Sequence, residues 1–100
     1  MISYKIKLKK VNATIKKTRS RIGFVRFEKR DGTMRNMWFH SMIPKRMITG
    51  VGGPYNPIEK GITFLRDIML PDEDCIRAVR WCSIERLTVN GIRYKGVENG

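Results

Sequence analysis

The chain is 100 residues long, with 41% hydrophobic residues, 30% charged residues and a formal charge of +12. That length supplies one core, the composition is that of a folded domain rather than a disordered chain, and no apolar run approaches the roughly 20 residues of a membrane span. The charge is uneven: residues 1–46 carry fourteen Lys and Arg against two acids, Glu28 and Asp31, whereas residues 47–100 carry seven of each. Cations packed so densely repel one another, so the distribution calls for an outside polyanion.

At the N-terminus Tyr4, Ile6 and Leu8 alternate with Lys5, Lys7 and Lys9, the period-two pattern of a half-buried strand with a basic outer face. The same alternation lacks the apolar stretch of a signal peptide, and a cytoplasmic location is expected. Val11, Ala13 and Ile15 resume the pattern after Lys10. A helix over residues 9–17 competes, but Val, Asn, Thr and Ile are mediocre helix formers, and strand is the expectation. Residues 1–20 thus read as a basic strand or arm.

From Gly23 to Phe39 the chain reads as a hairpin around Asp31-Gly32. A two-residue loop would set Phe27 opposite Asn36 and Val25 opposite Trp38, mixing polar with apolar on one face. A three-residue loop, Arg30-Asp31-Gly32 with Gly32 left-handed, instead pairs Gly23 with Phe39, Val25 with Met37 and Phe27 with Arg35. Val25, Phe27, Met37 and Phe39 then share the core face, and Phe24, Arg26, Glu28, Met34, Asn36 and Trp38 the opposite one.

Gly and Pro crowd residues 41–61, which read as a long surface loop. Ile62 to Leu70 is expected to be a strand, Pro71 to Asp74 a turn, and Cys75 to Cys82 a returning strand in a central position with Trp81 in the core. Ser83 to Arg86 fits one short helical turn capped by Ser83. Asn90-Gly91 closes a last hairpin between Leu87–Val89 and Ile92–Tyr94 with type I′ chemistry. Cys75 and Cys82, seven extended steps and roughly 23 Å apart, are beyond disulfide reach. Both are expected to be thiols and core fillers.

These elements describe an all-β or mainly-β domain over residues 1–100: a small SH3/Sm-like barrel of five to seven short strands with a basic N-terminal strand. Its core spans residues 21–87, with residues 88–100 as C-terminal hairpin and tail. The run Val25-Arg26-Phe27-Glu28-Lys29-Arg30-Asp31-Gly32-Thr33-Met34-Arg35-Asn36-Met37, the later Ile43-Pro44, and Ala78-Val79-Arg80-Trp81-Cys82-Ser83-Ile84 resemble the small Sm-like, SH3-type barrel family of bacteriophage and bacterial proteins related to the WYL domain. The resemblance covers roughly Arg21 to Leu87. It implies a compact, often phage-borne barrel related in fold to modules that bind oligonucleotides or nucleotide-like ligands, with no established catalytic activity and no agreed binding residues. The arm before Ser20 and the hairpin after Leu87 lie outside it.

Catalytic and metal chemistry finds little support. His40 has no acid or thiol nearby in sequence and reads as an ordinary strand-end histidine. Asp72-Glu73-Asp74 follows Pro71 and reads as a solvated turn rather than a metal site, and the glycines from Gly50 to Gly53 lack the lysine and helix of a phosphate loop. No enzyme activity, cofactor or metal is expected; a metal-dependent nuclease is the form an enzyme would take.

The basic and aromatic residues form the stronger constellation. Lys5, Lys7, Lys9, Lys10, Lys16, Lys17, Arg19 and Arg21 make an acid-free arm, and Arg26, Lys29, Arg30 and Arg35 flank the hairpin tip. Phosphates attract such groups through Coulomb forces and counterion release. Trp38, with Phe24 or Tyr55, is placed to stack on unpaired bases. A highly charged surface serving solubility alone is the plain competitor.

The expected function is non-enzymatic binding of DNA or RNA, with those twelve cations and Trp38 as contacts. The alternative is a module that binds and inhibits a host protein through Phe24, Trp38 and Met34 ringed by arginines. No membrane partner is expected, and the Tyr4-Ile6-Leu8 strand is suited to pairing with a second copy at a sheet edge.

Overall fold

A computed structural model describes residues 4–19, 21–43, 60–71 and 74–98. Most of the expected loop, with Tyr55 and the glycines Gly50 to Gly53, lies outside the described residues, as do Asp72 and Glu73 of the acidic turn. The chain forms β1 (Tyr4–Lys7), a 3₁₀ turn (Leu8–Lys10), α1 (Val11–Lys16), β2 (Gly23–Glu28), β3 (Met34–His40), β4 (Ile62–Asp67), β5 (Ile76–Arg80), a second 3₁₀ turn (Trp81–Ser83), β6 (Ile84–Val89) and β7 (Ile92–Glu98). The expected mainly-β fold is present: seven strands make one sheet in the order β1-β7-β6-β2-β3-β4-β5. Every ladder is antiparallel except β1 on β7.

The central hairpin has the register that side-chain faces dictate. Gly23 pairs with Phe39, Val25 with Met37 and Phe27 with Arg35. Gly32 has φ +89°, the left-handed conformation that lets a three-residue loop reverse the chain. Asp31 fixes the loop by accepting hydrogen bonds from the Thr33 hydroxyl at 2.6 Å and its backbone N–H at 2.9 Å. These bonds favour the ionised carboxyl and hold it below its usual range. The final hairpin matches its expected turn as well: Val89 pairs with Ile92, and Asn90 and Gly91 both have positive φ.

Residues 11–15 correct the reading. They are helical, because Val11 and Ile15 lie one turn apart on a single face, both fully buried, while Ala13 is exposed. A strand would have placed Ala13 beside them. Three side-chain bonds tie the helical segment down: Thr63 donates to Asn12 Oδ1 at 2.9 Å, Asn90 Nδ2 to Lys17 O at 3.2 Å, and Thr18 bonds Ser41 Oγ at 2.9 Å. The expected basic arm is therefore a short strand followed by a docked helix.

Three further expectations shift. β4 ends at Asp67 rather than Leu70. β5 stands at a sheet edge instead of a central position, its partner being β4. The helical turn expected at Ser83 to Arg86 falls earlier, at Trp81–Ser83, so Ile84 begins β6. Neither cysteine forms a disulfide, but only Cys75 is buried; the early turn leaves Cys82 exposed and not a core filler.

A flat sheet with six strand intervals of about 4.8 Å would be about 29 Å wide. Here Ile6 of β1 and Val79 of β5 belong to one core cluster with Val11, Ile15, Met37, Phe39, Leu65 and Leu87. Residues of β2 and β5, three strands apart, also share a cleft. The sheet therefore curls, with α1 on its inner side; among the described residues no ladder joins β1 to β5, and it stays open. Trp81 sits in this core as expected, 8% exposed, its Nε1 donating to Thr63 Oγ1 at 2.7 Å.

Of the described glycines, Gly23 leaves the least room for a side chain. A Cβ there would lie 2.4 Å from Cζ of the buried Phe39 ring. Gly23→Ala is expected to lower stability by about 1–3 kcal/mol through overpacking, read as an earlier urea midpoint with an unchanged m-value.

Candidate nucleic-acid interface

Antiparallel pairing puts residues that face each other across the sheet on the same side. On the outer face, Trp38 of β3 pairs with Phe24 of β2, Phe24 with Thr88 of β6, and Thr88 with Arg93 of β7. The adjoining rung runs Asn36, Arg26, Arg86. Two neighbouring grooves of about 510 and 500 Å³ share Phe24, Trp38 and Arg86, the larger also bounded by Arg93, Tyr94 and Lys95.

The aromatic pair has the geometry of a platform. The Phe24 and Trp38 ring centroids are 4.9 Å apart with planes tilted by 58°. Trp38 is 52% exposed, so half of a large apolar side chain faces water. Phe24 supports it from the next strand without stacking on it face to face. A base has a π-face that an exposed indole can receive, and guanidinium groups alongside neutralise the backbone that carries the base.

Local sequence explains the charges on this face. A bulge between the Arg26–Arg86 and Phe27–Ile84 pairs leaves Glu85 as the extra residue of β6. Its carboxylate stands 3.3 Å from Arg26 Nε and 4.0 Å from Arg86 Nε. Arg26 also donates to Asn36 Oδ1 at 3.0 Å, which fixes its guanidinium over the sheet. The Arg26–Glu85 pair is partly in solvent and worth about 0–1 kcal/mol.

The expected contact residues fall into three groups. Arg26 and Trp38 meet on the outer face, and Lys5 and Lys7 project from the edge strand β1 opposite the buried Ile6. Lys29, Arg30 and Arg35 gather at the hairpin tip. Lys9, Lys10, Lys16 and Lys17 ride on the helical segment, on the core side of the sheet, and Arg19 and Arg21 follow it; the structure does not bring these six to the aromatic face. Arg35 is held internally, its Nη2 donating to the buried Asp67 carboxylate at 2.8 Å. Among the described residues Lys5, Lys7, Lys9, Lys10, Lys16, Lys17, Arg19, Arg21 and Arg30 form no ion pair.

Arg86, Arg93 and Lys95 were not among the expected contacts. They come from the half of the chain that is neutral in sum, so a count along the sequence passes over them. Alternation in the last hairpin was the available signal, since Arg86, Thr88, Arg93 and Lys95 all oppose its buried Leu87 and Val89.

Among the described residues no group of His, Cys, Asp and Glu is arranged to hold a metal ion. No described helix is long and apolar enough to cross a membrane. No protein-family model, curated protein or solved structure matches the chain.

Proposed function

We propose that the chain is a non-enzymatic nucleic-acid-binding module that holds a single strand of DNA or RNA on the outer face of β3, β2, β6 and β7. The observation that carries this reading is the continuous rung of Trp38, Phe24, Thr88 and Arg93, with Arg26, Arg86 and Lys95 beside it. Aromatic stacking receives bases without regard to sequence, and the flanking cations take the phosphates. Lys5 and Lys7 extend the basic surface towards β1. The lysines of the helical segment act on a polyanion by long-range attraction instead of contact.

The two tryptophans make the reading testable without labels. Trp38 is half exposed and Trp81 is buried, so quenching by a bound oligonucleotide reports on Trp38. Titration with oligo-dT at rising salt is expected to quench and then release. If about five phosphates are contacted, log K falls against log salt with a slope near −3.5 on a single strand, or near −4.5 on duplex DNA. Absence of quenching, or binding indifferent to salt, removes the proposal. The same face with Met34 alongside also offers an apolar centre to a protein partner. One host protein retained by the chain from nuclease-treated lysate, with no oligonucleotide binding, would favour that second reading.

A further inference from the structure

A second basic site lies apart from the aromatic face. Between the tip of the β2–β3 hairpin and the edge strand β5 is a cleft of about 250 Å³ whose walls carry Lys29, Arg30, Arg35, Arg77 and Arg80. Glu28 is the one carboxylate among the lining residues, and Ser83 adds a hydroxyl. We infer that this cleft is an anion site that takes a phosphate group.

The side chains around it are incompletely answered. Arg30 and Arg80 form no ion pair among the described residues. Arg35 is gripped through Nη2 by Asp67, yet its Nε–H is buried and has no acceptor among the described residues. Such a buried donor costs stability until an acceptor arrives. Lys29 lies 3.8 Å from the exposed Asp31, a loose pair, whereas Arg77 is held more firmly, its Nη1 donating to the Ile76 carbonyl at 2.9 Å and its two Nη groups reaching the exposed Asp74 carboxylate at 3.4 and 3.5 Å. An exposed pair such as Lys29–Asp31 exchanges readily for a stronger anion.

Geometry selects phosphate over carboxylate. The cations line the cleft from two sides, Lys29, Arg30 and Arg35 from the hairpin and Arg77 and Arg80 from β5. A tetrahedral group offers oxygens to both walls, whereas a carboxylate presents two oxygens in one plane. The volume falls below the roughly 300–1,000 Å³ of clefts that enclose drug-sized ligands, which fits a phosphate with little attached to it. Its source is either the free ion or the terminal phosphate of a strand.

The test follows the arginine side-chain N–H signals by NMR while inorganic phosphate is added at constant ionic strength. The expected result is saturable movement of the Arg30, Arg35 and Arg80 signals, absent with chloride. Arg30→Gln and Arg80→Gln, both at exposed positions that leave the fold intact, are each expected to weaken phosphate binding about tenfold. Small, non-saturating shifts spread over every exposed cation, or unchanged affinity in both variants, would overturn the site. A parallel comparison of short oligonucleotides with and without a 5′-phosphate assigns the source. Tighter binding of the phosphorylated form, lost in Arg80→Gln, identifies a strand end, and equal binding identifies the free ion. Inorganic phosphate probes the cleft without the aromatic face, so failure here and failure of the stacking surface are separate results.

Discussion

Replacing Trp38 by alanine is expected to weaken binding of a single-stranded oligonucleotide by about 5- to 150-fold, the range that about 1–3 kcal/mol per stacked base corresponds to. The loss should be smaller on duplex DNA, whose bases are already stacked on one another and reach the surface only through phosphates. Folding should be spared: Trp38 is half exposed, and its neighbour Phe24 keeps its place on β2 through pairing with both β3 and β6. Fluorescence anisotropy on matched single-stranded and duplex probes, beside a thermal melt, separates the effects. Equal losses on the two probes would show that Trp38 is not a stacking platform, and unchanged affinity on both would place the binding surface elsewhere.

Asp67→Ala is expected to give a large loss of stability. The Asp67 side chain performs two tasks from a position only 5% exposed: Oδ2 accepts from Arg35 Nη2 at 2.8 Å, and Oδ1 accepts from the Met69 backbone N–H at 2.9 Å. Alanine would leave the Arg35 guanidinium, already carrying one buried N–H with no acceptor among the described residues, without its carboxylate. Breaking a buried pair by removing one partner costs about 3–5 kcal/mol. The Arg35 side chain is 25% exposed, so water softens the effect towards the lower figure. For a domain of this size that still lowers Tm by about 12 °C or more. Combining Asp67→Ala with Arg35→Met is expected to recover much of the loss, because the charge stranded by the first change is gone. A loss below about 1 kcal/mol in the single variant would mean that the pair behaves as a surface one.

What the sequence disclosed and what it hid follow from the range over which each element is determined. The hairpin register was legible residue by residue, since a glycine at positive φ and the opposition of Val25 to Met37 are set within a dozen residues. The I′ turn at Asn90-Gly91 was legible for the same reason. The helix at Val11 to Lys16 was not, because its residues have little helical preference of their own. It is held by contacts with Thr63, Asn90 and Ser41, none of which is near in sequence. The edge position of β5 was hidden similarly: its mixed faces resemble those of an inner strand because the curled sheet brings one of them back towards the hairpin. The candidate site was half legible. Phe24, Arg26 and Trp38 were readable from alternation, but Arg86 and Arg93 reach them only through β6, a neighbour supplied by the far end of the chain. The charge asymmetry itself is partly folded away, since Arg26 and Arg35 find Glu85 and Asp67 from the neutral half.

The parallel ladder between β1 and β7 joins opposite ends of the chain at one margin of the sheet. Such a closure brings together segments distant in sequence, so its loop-closure entropy is large unless the elements between them have already formed. The first strand is accordingly expected to dock late and to fray early. When it leaves, Lys5 and Lys7 depart with it and the flank of β7 is uncovered, so the margin that enlarges the cationic surface is also the one at which a second molecule would find a strand to pair with.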